Sequence, residues 1–193
     1  MYVSPDAKLE KLCPKGDARY GLENPYYDAE AKCLVATNAH ALAIVPVELH
    51  DDEEVSEGYI PVDALKESRK GKALKGQLIA ENGTVKTPGG PSWDRPEDGQ
   101  FPTWRKLYPS DTPVFALTIN PQLLLNLAQA MGAGNRSNEF VTLFFDSDPS
   151  DGDDRPRNNS GIAVQGPNGA YGVIMPGPGK DATDYVRPDF LDK

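Results

Sequence analysis

Apolar residues in this chain are grouped in short runs, most no longer than a β-strand. Only two stretches carry the three-to-four-residue spacing of a helix. A brief apolar strand at 58–60 is followed by Pro61, which suits a helix start because the N–H it lacks would be unpaired there anyway. The predicted helix runs from Pro61 to about Lys70, with Gly71 placed to end it. Strands at 77–80 and 84–87 follow, joined by the tight-turn sequence Glu81-Asn82-Gly83. A strand at 114–119 then leads into Asn120-Pro121, an N-cap and a helix-opening proline. That helix reaches about Met131, where Gly132 and Gly134 stop it. Strands at 140–145, 161–165 and 171–175 complete this part, the last two joined by Gly166-Pro167-Asn168-Gly169. Strand, helix and β-meander thus occur twice, an internal repeat.

The segment before these two units reads as β throughout, with strands expected at 20–22, 26–27, 33–37 and 42–47. Residues 8–13 are too few for a full helix before Pro14 ends them. Residues 88–100 read as an irregular loop anchored by Trp93, and 146–160 as a long mobile hairpin loop between two strands. The sum is an α+β chain of many short antiparallel strands with two helices.

The two helices differ in chemistry. On the first, Val62, Ala64 and Leu65 face inward, while Lys66, Arg69 and Lys70 share one flank that Lys72 and Lys75 extend. Such a flank suits phosphate contacts; it also fits a solvated face that Asp63 and Glu67 partly neutralise. On the second, Leu123, Leu124, Leu127, Ala128 and Met131 form an apolar stripe opposite Gln122, Asn126 and Gln129. That helix carries no charge, so its outer face is a candidate for contact with another surface.

Composition narrows the function classes. Gly 18 plus Pro 18 in 193 residues makes turns dense and argues against long helical bundles. A net charge of −9 repels phosphates, so any DNA contact must come from a local basic patch. No apolar run has the length to span a bilayer, and the N-terminus lacks the apolar region of a secretory signal. The chain therefore reads as a cytoplasmic protein without membrane partners. Cys13 and Cys33 are too few for a disulfide framework, and neither shares a metal-binding spacing with His40 or His50. No nucleophile, P-loop or zinc-hydrolase motif is present, so no catalytic residue, metal or cofactor is assigned. The acidic run 146–154 approaches a calcium loop, but Pro149 and an extra residue break the spacing and Arg157 stands where the closing Glu belongs.

Several separated motifs together resemble the bacterial DNA polymerase III β subunits, the sliding clamps. Ala36-Thr37-Asn38-Ala39-His40-Ala41-Leu42-Ala43 is similar to the family's ATDGHRLA stretch, and Tyr59 to Leu65 to its strand–Pro–helix element. Phe101-Pro102-Thr103-Trp104-Arg105-Lys106-Leu107-Tyr108-Pro109 resembles FPDYRRVLP, and Tyr171 to Pro176 the terminal VMP sequence. The pieces keep the family's order over roughly residues 17–176. Asn38 and Ala41 depart from the family's Asp and Arg, and Gly177-Pro178-Gly179 replaces its terminal basic residue. A clamp subunit has three domains and is far longer than this chain, which suggests a short, diverged clamp of the kind carried by phages and mobile elements.

The resemblance implies the DNA-clamp fold, with one clamp-like half at 1–112, a second at 113–179 and a tail at 180–193. It also implies a pocket for short peptide motifs of DNA polymerases and repair proteins. The matching positions are Thr37, His40, Leu42, Pro102, Lys106, Leu107, Val173, Met175 and Pro176. Helices line a clamp's ring, which puts Lys66, Arg69, Lys70 and Lys72 toward double-stranded DNA, and a homo-oligomer is expected because a ring needs six domain-sized units. The leading expectation is a non-enzymatic replication accessory. The runner-up is a clamp-fold decoy or regulator that binds clamp partners or a clamp subunit without encircling DNA. A third reading is a metal-dependent hydrolase built on the acidic loop.

Overall fold

The computed structural model describes residues 1–16, 21–50, 53–70, 74–81, 83–96, 100–107, 117–133, 140–144, 147–148, 153–156, 161–177 and 186. They fall into two compact units, one within Met1–Tyr108 and the other within Pro109–Arg187.

In the first unit, β1 (Tyr2–Val3), β2 (Tyr26–Asp28), β3 (Cys33–Thr37), β4 (Leu42–Glu48) and β5 (Gly58–Tyr59) form one sheet in the order β1-β4-β3-β2-β5. All its pairings are antiparallel. Strand β3 is buried along its whole length, which its run of small and branched apolar residues permits. Helix α1 (Val62–Ser68) starts after Pro61, and the first amide, of Val62, donates to the Asn24 side chain at 3.0 Å. A three-stranded sheet follows: β6 (Ile79–Glu81), β7 (Thr84–Lys86) and β8 (Ser92–Asp94). Ala64 and Leu65 of α1 join Met1, Val3, Leu9, Tyr27, Leu34, Ile60 and Val85 in a single core.

The second unit holds α2 (Pro121–Ala130) and a sheet of β9 (Thr142–Phe144), β12 (Ile162–Gln165) and β13 (Tyr171–Ile174) in the order β13-β12-β9. A separate hairpin pairs β10 (Ser147–Asp148) with β11 (Asp153–Pro156). Asn120 caps α2 as expected, its side chain accepting from the amides of Gln122 and Leu123. Ile162, Val164 and Ile174 form the core, with Leu117, Ile119, Leu124, Leu127 and Met131 packed on it. Gly172 suits this packing, because a Cβ there would lie 2.7 Å from Leu127 Cδ1 and push that side chain aside.

Several expectations need correction. Gly21 and Leu22 lie in a turn, not a strand; Gly21 has φ +63, and a Cβ on it would lie 2.5 Å from the Tyr59 hydroxyl. Residues 88–100 contain β8, which registers Trp93 against Val85. Leu123 is exposed rather than inward, because the core takes Leu124 and Leu127, one and four positions on. Residues 117–119 form no regular strand, and 114–116 lie outside the described residues.

The repeat also has a third copy. β1, a single 3-10 turn at Leu9–Lys11, and the meander β2–β4 follow the plan of β5, α1 and β6–β8. The two copies exchange strands: β5 pairs with β2, while β1 bridges to Gln77 just before β6.

Candidate functional site

The turn between β3 and β4 holds three of the expected pocket residues. Thr37 is buried; its hydroxyl donates to the Ala41 carbonyl at 2.8 Å and accepts from the Ala39 amide at 3.1 Å. The Asn38 carboxamide oxygen accepts from the amides of His40 and Ala41. Ala39 takes φ +69, so the four-residue turn is fixed by its own side chains and backbone. This leaves His40 exposed, while Leu42 packs into a cluster on the sheet's outer face with Cys33, Val35, Phe101 and Trp104.

The segment 101–107 is tied across that outer face. Trp104 opens a 3-10 turn, Trp104–Leu107, and is almost fully buried. Its indole N–H donates to Asp28 Oδ2 at 3.1 Å, while the Arg105 guanidinium grips both Asp28 oxygens at 2.6 and 3.1 Å and reaches Glu30 at 3.2 Å. Arg105 also lies 4.8 Å from the Trp104 ring centre. Burial pushes the Asp28 carboxyl up, but the Ala31 amide, Arg105 and Trp104 outweigh it and hold the group below its ordinary value. Phe101 stacks on Tyr26 with ring centres 5.1 Å apart, and Tyr59 meets both edge-on. A cleft of about 450 Å³ opens here, lined among others by Tyr26, Glu57, Phe101, Pro102 and Arg105. Pro102 is thus at a cavity wall, Lys106 is exposed, and Leu107 ends the turn. Arg105 stands within the 101–109 motif, but nothing in the sequence marks it or Asp28 as partners.

In the second unit, Val173 and Met175 are 64% and 62% exposed, and Pro176 follows half-buried. Val173 and Met175 share the outer face of the sheet with Tyr171 and Phe144; in register, Phe144, Ala163 and Val173 form one row. Gly161 keeps this face open, since a Cβ there would meet Val173 at 2.7 Å. The structure therefore gathers Thr37, His40 and Leu42 on one hairpin, with Leu42 and the 101–107 segment on one face. It presents Val173, Met175 and Pro176 as an apolar edge in their own unit.

The basic flank is not uniform. Arg69 is 18% exposed, and its guanidinium is committed to Glu10 at 2.5 Å and the Ala7 carbonyl at 3.2 Å. Lys66 and Lys70 sit outward and pair with Asp63 and Glu67 at 3.1 and 2.6 Å. Lys72 lies outside the described residues. Surface pairs one helical turn apart contribute little, so both lysines can exchange their carboxylates for phosphates. Arg69 instead fastens α1 to the turn at Leu9–Lys11.

Burial first, then a nearby carboxylate (Glu10 for Cys13, Asp28 for Cys33), raises both thiols to about 12, far from a nucleophile's range. Among the described residues no three His, Cys, Asp or Glu side chains are placed to hold a metal, and no helix is long and apolar enough to cross a membrane. The acidic run 146–154 falls largely outside the described residues.

No family model matches the chain, and no curated protein is similar to it in sequence. Solved structures are. The β sliding clamp of C. crescentus superposes with a TM-score of 0.62 at 16% identity, over 86% of this chain and 45% of the clamp. The DNA polymerase sliding clamp of Pseudomonas aeruginosa gives 0.57 at 13% identity, over 88% of this chain and 48% of the clamp. The chain has the α+β fold of these clamps and spans about half their length.

Proposed function

We propose that this protein is a minimal sliding-clamp-like replication accessory, without enzymatic activity, of the kind found in phages and mobile elements. It docks short linear motifs of DNA polymerases or repair proteins and assembles as a homo-oligomer around double-stranded DNA. The observation that carries the reading is the exposed apolar edge of Val173 and Met175 on a clamp fold. A soluble domain has no folding reason to leave a branched side chain and a pliant thioether side by side in water, and such a pair suits the anchor residue of a bound peptide. In the first unit, the positions proposed for motif binding are Thr37, His40 and Leu42 at the β3–β4 turn, and Pro102, Lys106 and Leu107 on the Asp28-tied segment 101–107. Lys66, Lys70 and Lys72 are the DNA-facing cations, with the clamp-like halves divided near residue 112 and a tail after 179.

The test is fluorescence anisotropy with labelled C-terminal peptides of replicative polymerases bearing Leu and Phe anchors. Val173→Asp with Met175→Asp should weaken binding at least about tenfold, the cost of putting charge in an apolar contact, with the fold intact because both side chains are already exposed. Undiminished binding would sink the assignment of this edge.

Three observations favour the alternative of a decoy or regulator that binds clamp partners without encircling DNA. The net charge is −9, Arg69 is committed internally, and α2 offers no cation. Peptide affinity with no retention on circular DNA would select that reading.

A further inference from the structure

Among the described residues, the second unit holds one copy of the repeat where the first unit holds two. In the first unit two repeats share one core and complete each other's sheets: β5 lies on β2, the first meander strand of the other repeat, and β1 bridges to Gln77 at the entry to β6. Among the described residues the second unit contains one repeat, together with the hairpin of β10 and β11. Its first segment, 117–119, runs beside the end of β13, with the Gly177 amide donating to the Thr118 carbonyl at 2.8 Å, as β1 runs beside β4. Its first meander strand, β9, pairs with β12 and, among the described residues, with nothing on its other edge.

The helices tell the same story. Aligned on Pro61 and Pro121, Ala64 and Ser68 of α1 correspond to Leu124 and Ala128 of α2, and Leu65 corresponds to Leu125. Leu65 is 2% exposed in a core both repeats build, whereas Leu125 is 46% exposed and α2 buries no residue fully. Helix α1 is also fastened to the other repeat's helical turn through Arg69 and Glu10, a contact for which α2 has no counterpart among the described residues.

We infer that the second unit is completed by the second unit of another copy of this chain, forming a whole clamp-type domain across a two-fold axis. The surface is self-complementary, because each copy offers a first segment at 117–119 and an open β9 edge to receive one. At a two-fold axis like charges meet, which an acidic chain must avoid; residues 121–131 contain no charged side chain. The inference rests on the clamp-fold reading and names its oligomer contact, but it requires neither DNA nor peptide binding.

The experiment is light scattering after size exclusion on the full chain, from roughly 1 to 200 µM, a range covering weak and tight association. Wild type should form dimers or even multiples of them. Leu125→Glu should raise the dimer dissociation constant by more than about 100-fold, because each dimer would bury two like charges. Leu125→Ala gives a milder loss should the charged variant fold poorly, and Leu74→Glu, a comparably exposed leucine in the first unit, should change nothing. Amide exchange of Thr142 to Phe144 should slow with concentration in wild type only. A monomer at every concentration, a trimer, or an oligomer indifferent to Leu125→Glu overturns the inference. Peptide binding retained in a monomeric chain would leave the clamp reading standing without it.

Discussion

Removing the Asp28 carboxylate tests whether the segment 101–107 is held over the sheet by that group. Asp28 is 5% exposed and accepts from the Ala31 amide, the Trp104 indole and two guanidinium nitrogens of Arg105. Asp28→Ala withdraws the acceptor of a buried indole N–H, a loss of about 1–3 kcal/mol, and a charge-assisted pair worth about 1.5–3 kcal/mol. Arg105 is about a quarter exposed and retains Glu30, so water restores part of the second loss. The expected cost is about 3 kcal/mol by urea unfolding at neutral pH, followed by tryptophan fluorescence. Asp28→Asn keeps the shape and should cost about half of that. The pH dependence has a defined sign. The folded carboxyl ionises below its usual 3.8, so its contribution is complete above that value and disappears as pH falls through the lower folded value. The gap between wild type and Asp28→Asn should therefore close in acid. A gap unchanged between pH 7 and roughly pH 2.5, or a cost for Asp28→Ala below about 1 kcal/mol, would refute the reasoning.

Two other outcomes follow from the site. Lys66→Glu with Lys70→Glu should weaken binding to double-stranded DNA and flatten its salt dependence, while Arg69→Ala should leave DNA binding intact and cost about 1–2 kcal/mol of stability. Equal loss of DNA affinity in both variants would return Arg69 to the surface patch. Cys13 and Cys33, raised to about 12, should stay protonated and resist Ellman's reagent at pH 8 until the protein is unfolded; rapid modification of the folded chain would contradict their burial.

What the sequence disclosed follows from range. Asn120-Pro121 announces α2 because capping is decided within three residues, and β12 and β13 stand out because their apolar residues alternate around a turn. Asp28 and Arg105 are 77 positions apart, and nothing local in either segment reports the other. β8 is hidden among Pro, Gly and charge, since a short edge strand is defined by its neighbour β7 rather than by its own residues. The first repeat escapes notice for a related reason: its helix is reduced to one turn, too brief to show a helical period. Among the expected site residues, the exposed Val173 on β13 and Met175 just beyond it keep the alternation that marks them. Arg69 could be misplaced because its spacing is the same whether it faces solvent or Glu10.

The strand exchange in the first unit also governs the order in which the molecule can form. β1 has only two residues, and its backbone partners are β4, ending at Glu48, and the stretch from Gly76 to Leu78. A chain emerging from the ribosome must hold its first residues unpaired until those partners exist, and β2 must wait for β5 in the same way. Neither repeat is a finished folding unit alone, so folding should proceed in one late step dominated by distant contacts, and slowly for a unit of this size. During that delay the open edge of β2 is exposed to any other strand, including one from a neighbouring chain.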